Sequence, residues 1–316
     1  MLVYITHRCA ALIPVLVGIS VVVFSLLQLV PGDPALAMLG PMARQEDLVQ
    51  LRVSLGLDQS KPVQYLKWLI NVLHGDFGIS IQQRSPVFPI VMERFVNTLL
   101  LTVAAIVVSI VVGVPAGMVA ATRRHSIIDR VSMMLALFGN SMPAFWLGLM
   151  SILVFSLYLQ WLPASGMWSI SGSRTFTSLV EHILLPAVTL GVGAASVTAR
   201  ITRSSVLEVI ENDYVRTAHA KGLGENRVIR RHVLSNALLP VLTVVGVQFG
   251  FLLGSAVITE TVFSWPGLGF LLYNAISMRD YPVVQGGVLV IATSFVLINL
   301  LVDLTYSWID PRITFK

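Results

Sequence analysis

Residues 97–122 read NTLLLTVAAIVVSIVVGVPAGMVAAT, a run without one charged side chain. A helix needs about 20 predominantly apolar residues to cross a hydrocarbon core of about 30 Å, and five further stretches qualify: 9–30, 132–159, 183–203, 238–262 and 283–307. In lipid every backbone N–H and C=O must find its partner inside the protein, which leaves helices and closed barrels, and stretches of this length fit helices. The composition agrees: 55% of the 316 residues are hydrophobic and 12% charged, against about 25% charged in soluble domains. The expectation is an all-α membrane protein with six transmembrane helices.

An even number of spans puts both termini on one side, and the charges choose which. One set of short loops and ends carries Arg8, Arg123, Arg124, Arg130, Arg203, Arg216, Lys221, Arg227, Arg230, Arg231, Arg312 and Lys316, whereas the opposite short loops carry Arg174 and Arg279. By the positive-inside rule the basic face is cytoplasmic. A basic balance in such a chain reports topology, and no nucleic acid is expected as partner. Arg8 leads into a span that ends in PGDP with no small-x-small cleavage pattern, so this first segment reads as a retained helix and not a signal peptide. The lone Cys9 forms no intrachain disulfide.

The first loop, Pro31 to Val96, holds six basic residues but spans 66 positions, long enough to translocate largely regardless of charge. Its apolar residues fall at helical spacing (Leu48, Leu51, Leu55, then Tyr65, Leu69, Val72), with Pro62 placed for a first turn and Gly75 for a C-cap. The chain therefore divides into 1–96, the first span plus a periplasmic helical loop; 97–307, a five-helix core containing a cytoplasmic loop at 203–236; and a cytoplasmic tail, 308–316. Trp161 and Trp168 suit the membrane interface.

Within the spans, nine of the thirteen residues Ala187–Ala199 are Gly, Ala, Ser or Thr, too small for a lipid-facing helix, so this span is expected against other helices or a polar path. Gly246, Gly250 and Gly254 recur every four residues, a spacing that lets helices approach closely. Pro115, Pro143 and Pro186 are candidate kinks. No span has a central charge; Arg200, Glu260 and Asp303 sit near helix ends, within reach of water or headgroups. A secondary transporter often keeps such charges at the midplane.

Enzymatic constellations are missing from the sequence. None of the four lysines follows a glycine, the six histidines form no HExxH pair, and no GxSxG elbow occurs. No catalytic residue, cofactor or metal site is expected, and the chain reads as a non-enzyme. The polar exception is DYVRTAHAKGLGENRVIRRHVLSNALLP, Asp213 to Pro240. Ser205–Lys221, free of Pro and Gly, predicts a helix; Gly222 supplies its cap; Glu225–Ser235 predicts a second short helix leading into the fifth span. Tyr214, Val215 and Ala218 give the first helix a modest apolar face beside Arg216 and Lys221. Such an elbow fits a protein partner; the rival reading lays the Arg227, Arg230, Arg231 cluster on anionic headgroups.

AHAKGLGENRVIRRHVLSNALLP resembles the cytoplasmic EAA loop of ABC importer permeases, in the form found in dipeptide, oligopeptide, nickel and glutathione uptake systems. The resemblance runs through the chain in order: LVPGDPA, LGLD, GDFGIS, SMPAFWLG, HILLPAVTLG, TRSSVLEVIENDYVRTAHAKGLG, ETVFSWPGLG, RDYPVVQG and DPRI. Arg216-Thr217 stand where the motif begins with Glu-Ala, while Ala218 and Gly222 keep its letters, and the long first loop is similar to that of the first of the two paired permeases. The resemblance implies a type I ABC importer permease fold in the bacterial inner membrane, forming half of a translocation path for peptides or a related small solute. Implied partners are a second homologous permease, two cytoplasmic ATP-binding subunits, a periplasmic solute-binding protein and the lipid bilayer. Implied coupling residues are Asp213, Tyr214, Arg216, Thr217, Ala218, Lys221, Gly222, Leu223 and Gly224, with Tyr214, Ala218 and Leu223 packing and Arg216 and Lys221 pairing with acids. The alternative is an ion-coupled secondary transporter or channel working without ATPases.

Overall fold

The computed structural model describes residues 2–29, 36, 42–54, 56–169 and 174–309. The turn beyond Leu29, the terminal DPRI motif and the tail from residue 310 lie outside the described residues. In chain order the helices are α1 (Leu2–Leu29), α2 (Gln45–Ser54), α3 (Lys61–Leu73), α4 (Val87–Thr122), α5 (Ile127–Ser141), α6 (Ala144–Ser151), α7 (Phe176–Ile210), α8 (Asp213–Ala220), α9 (Glu225–Val228), α10 (Leu234–Val262), α11 (Leu268–Ser277) and α12 (Tyr281–Ile309). Wider π-helical turns continue α6 through Ile152–Tyr158 and join α9 to α10 through Ile229–Val233. Among the described residues the only β pairing is an isolated bridge between Ile79 and Pro86.

Four helical stretches are long and apolar enough to span a bilayer: Val87–Thr122, Phe176–Ile210, Ile229–Val262 and Tyr281–Val302. A fifth follows if the pair Ile127–Ser141 and Ala144–Tyr158 is one span, yet its arms meet at 104°. Proline explains that bend. Pro143 lacks an N–H, and the residue before a proline is pushed to extended backbone; Met142 and Pro143 take ψ 131° and 132°, after which Pro143 opens α6. The other two candidate kinks, Pro115 and Pro186, lie inside unbroken helices. For the first span, the described apolar part is Ala10–Ser25, within the longer helix α1.

The chain forms two compact units. In one, Met1–Asn97 with Gly267–Leu300, helix α3 of the first loop begins and ends where its proline and glycine place it. Pro62 sits in the first turn of α3. At its other end Gly75 has φ +83°, its N–H donates to Val72 O and that of Asp76 to Asn71 O, the glycine-closed Schellman cap. Phe24 of α1 meets Tyr65 of α3 edge-on at 5.5 Å, and the Tyr65 and Ser20 hydroxyls share a 2.8 Å hydrogen bond. Buried Asp280, just ahead of α12, accepts Ser80 Oγ at 2.5 Å and the N–H groups of Ile81 and Gln82 at 3.1 and 3.2 Å, pinning the turn that follows GDFGIS.

In the other unit, Thr98–Pro266 with 301–309, α7 is the most enclosed helix: 67% of its apolar window is buried, against 33% or less for the other three long spans. Its small residues let α4 approach backbone to backbone. A methyl added at Gly113 would lie 2.6 Å from Ala195 O, and one at Gly191 2.7 Å from Ala105 O; at Gly117 it would collide with Ala199 O and Thr202. The close-packing repeat is thus Gly113 and Gly117 of α4. Of the expected trio on α10, Gly246 packs against Val302 and Gly250 is buried, but Gly254 has open space around it. Leu101, Leu190, Leu252 and Trp265 fill the core between these helices.

One charge departs from expectation. Glu260 is fully buried, and Thr98 Oγ1 donates to its carboxylate at 2.6 Å. Because α10 runs on to Val262, Glu260 is still helical and turns into the core, away from the headgroups.

Gly117→Leu forces α4 and α7 apart, an overpacking cost of about 1–3 kcal/mol, and lowers the melting temperature in detergent. Gly254→Ala meets no neighbour and leaves it equal or raised, since alanine favours the helix by up to about 1 kcal/mol. Equal melting of the two variants contradicts this packing.

Candidate functional site

The elbow between α7 and α10 begins where α7 ends. Ser205–Lys221 is not one helix: it breaks at Glu211-Asn212 into α7 and α8. Asn212 takes an extended conformation, φ −71° and ψ 146°, and its carbonyl accepts the N–H groups of Val215 and Arg216 at 3.0 and 3.3 Å. The Asn212 side chain makes no bond to the first turn of α8, its Nδ2 donating instead to Glu208 O at 3.4 Å; the extended Asn212 backbone and the acidic Asp213 in the first turn mark the break although no Pro or Gly is present.

Helix α8 is eight residues long and closes on a Schellman cap. The Gly222 N–H donates to His219 O at 2.9 Å and the Leu223 N–H to Ala218 O at 3.4 Å, with Gly222 at φ +76°. No heavy atom lies within 4 Å of where its Cβ would be, so the glycine serves the left-handed turn and leaves open space beside it. Gly224 then accepts the N–H groups of Arg227 and Val228, starting α9.

Burial divides the elbow into two faces. Val215 and Ala218 turn inward, 1% and 6% exposed, and join Ala121, Val206, Val228, Val233 and Ala237, with Leu223 half-buried on the same cluster. Ala218 is enclosed by this cluster, while Leu223 packs on it and keeps part of its surface outside. The outer face carries Asp213, Arg216, Thr217, His219, Lys221, Gly222 and Gly224, all exposed. Asp213 and Arg216 stand 3.7 Å apart with side chains 97% and 74% exposed, a pair worth a few tenths of a kcal/mol at most and open to exchange for another partner. Tyr214 lies at the edge, its hydroxyl accepting Asn236 Nδ2 at 3.1 Å.

A buried polar contact also escaped sequence reading. Ser109 of α4 and Thr198 of α7, both fully buried, share a 2.9 Å hydrogen bond, and Gln248 of α10 donates to Thr198 Oγ1 at 3.3 Å. Hydroxyls and amides that bond across helices act as glue in an apolar bundle. The available signal was the small polar content of Ala187–Ala199. Among the described residues no group of three His, Cys, Asp or Glu is arranged to hold a metal.

Among the described residues the chain is almost wholly helical, with several bilayer-length helices, a broken span and a capped polar elbow, the architecture of a multi-pass membrane protein. The chain belongs to the family of binding-protein-dependent transport system inner membrane components, whose profile matches residues 113–315, with the corresponding N-terminal component matching 1–102. It is 45% identical to the dipeptide transport system permease protein DppB of Alkalihalophilus pseudofirmus and 44% identical to DppB of Escherichia coli K12. It is also 45% identical to the glutathione transport system permease protein GsiC of Salmonella choleraesuis. Each match covers 100% of both chains. Among solved structures, an inward-facing MetNI methionine ABC transporter matches with TM-score 0.57 at 21% identity, over 70% of this chain and 96% of that one. This second likeness concerns the fold. The chain is a multi-pass inner-membrane permease of an ABC importer, a family that works with ATPases and a binding protein, and its relatives are transport permeases, not enzymes.

The cap gives a direct test. Alanine in the left-handed conformation costs about 1–2 kcal/mol, whereas asparagine tolerates it. Gly222→Ala therefore speeds amide exchange in α8 about tenfold or more and Gly222→Asn much less; equal exchange in the two variants contradicts the cap.

Proposed function

We propose that α8 and its Gly222 turn form the coupling element on which a cytoplasmic ATP-binding subunit docks. The observation that carries this reading is the division of faces: the inner face of α8 is fixed by Val215 and Ala218, while Asp213, Arg216, Thr217 and Lys221 are presented outward beside an unfilled glycine turn. A partner seats against the backbone at Gly222 and Gly224, Arg216 leaves its weak intrahelical pair for the partner's acids, and Lys221 adds a second charge. Ala218 and Leu223 support the helix from behind, and Tyr214 contributes at the rim.

On this reading the chain spans the membrane six times, α1 and the bent α5–α6 pair each counting once, with both termini cytoplasmic. It forms half of the translocation path with a second homologous permease. The domain plan follows: 1–96 as first span and periplasmic loop, 97–307 as the core carrying the elbow at 203–236, 308–316 as the cytoplasmic tail. The first loop and ETVFSWPGLG face the binding protein. Its substrate class is a short peptide, supported by the full-length likeness to dipeptide and glutathione permeases.

Affinity purification from mild-detergent membranes tests the coupling site. With Gly222→Trp the ATP-binding subunits drop away while the second permease still co-elutes, and with Gly222→Ala, which adds strain with little volume, most of the ATPase remains. Full retention of the ATPases by Gly222→Trp contradicts the assignment.

A further inference from the structure

Two ion pairs tie the short loop between α4 and α5 to the last turns of α7. Asp129, in the first turn of α5, is buried at 5% exposure. Arg203 of α7 grips it with both prongs of its guanidinium, Nε donating to Oδ1 at 2.7 Å and Nη2 to Oδ2 at 2.9 Å. The His125 N–H donates to the same carboxylate at 3.1 Å, and the Asp129 N–H donates to Ser126 Oγ at 3.2 Å. Arg124 supplies the second tie, its Nη1 lying 3.2 Å from Oε1 of Glu211, the residue that caps α7.

The spacing gives these ties a direction. Arg203 and Glu211 are eight residues apart, about 12 Å along the helix and about 80° around it, so both anchors lie toward one side of α7. The loop is strapped along the two turns that immediately precede α8. Beneath it, Gly117 of α4 lies against the α7 backbone at Ala199 and Arg203, and Ala121 joins Val206 and Val215 in the elbow's core.

We propose that Asp129 and Arg203 are positioning residues that make α5 follow α7 when the coupling helix is displaced. This rests on the reading of α8 as the docking element. The exposed Arg124–Glu211 pair contributes little by itself. Loss of one buried partner leaves a charge without compensation, so the Asp129–Arg203 pair fixes geometry more than it adds stability. A displacement of α8 tilts the end of α7; the two-pronged contact passes it to the first turn of α5; and the 104° break at Met142-Pro143 lets α5 move without carrying α6. The sequence hid this because Arg203 counts there as one more basic residue of a cytoplasmic loop.

The test uses the complex purified with its ATP-binding subunits, Cys9→Ser, and spin labels on the exposed positions Met134→Cys of α5 and Ser204→Cys of α7. Distances are measured without nucleotide and with ATP and vanadate. With the pair intact the α5–α7 distance is the same in both states. Asp129→Asn/Arg203→Gln, which removes both charges and strands neither, keeps the ATPases bound and hydrolysis within about twofold, but the population at a changed distance under ATP and vanadate rises at least fivefold. The exchange Asp129→Arg/Arg203→Asp restores a single distance. Glu211→Gln, at an exposed site that folding does not depend on, shifts the same way by a smaller amount. A distance that changes between states in the intact complex, or one that stays fixed in both the neutral double variant and Glu211→Gln, overturns the proposal. Failure of the docking reading shows separately, as ATPases that remain bound to Gly222→Trp.

Discussion

Where Gly113 and Gly117 of α4 meet Ala195, Ala199 and Thr202 of α7, two backbones lie too close for a methyl group to fit between them. Lipid supplies no hydrophobic drive to bring helices together, so packing of this kind and cross-helix hydrogen bonds do that work. The contact accounts for the composition of α7, whose small residues make a poor lipid-facing surface and a good buried one. It also holds α7 against α4 as far as Arg203, two turns short of the elbow. The Ser109–Thr198 hydrogen bond spans the same pair of helices, and Gln248 extends it to α10.

From that fixed end the elbow follows by ordinary local rules. Asn212 stops α7 and starts α8, Val215 and Ala218 anchor the helix to a small core shared with Ala121, Val228 and Val233, and Gly222 turns the chain back toward α10. A short helix with a few polar residues has little stability of its own; tertiary packing on its inner face holds it, which frees the outer face from structural duty. That separation is what a docking element requires.

Much of this was legible from letters, because its causes are local or periodic. Apolar runs located the long helices, Pro62 and Gly75 marked the ends of α3, and Gly222 marked the turn. Non-local causes stayed hidden. Whether a glycine repeat touches another helix depends on which face meets a partner, so Gly246, Gly250 and Gly254 looked equivalent to a contact motif while Gly113 and Gly117, split by a proline, did not. Glu260 near a helix end reads as snorkelling until Thr98 is found beside it. Nothing local to Ala218 says that Val206 and Val233 share its cluster. Arg203 reads as topology until Asp129 meets it across 74 residues of sequence. Family membership was carried by a different signal, the ordered motifs from GDFGIS to RDYPVVQG, which mark lineage without stating which residues touch.

The most direct test of the account is a photo-crosslink from the outer face of α8. A photoreactive amino acid at Thr217, exposed and one helical turn from Lys221, is irradiated in native membranes and its adducts identified by mass. The expected result is an adduct with an ATP-binding subunit, lost when the partner is stripped from the membrane. An adduct confined to lipid, or to a protein of the periplasm, contradicts it and turns the elbow into a membrane anchor or reverses the orientation of the chain.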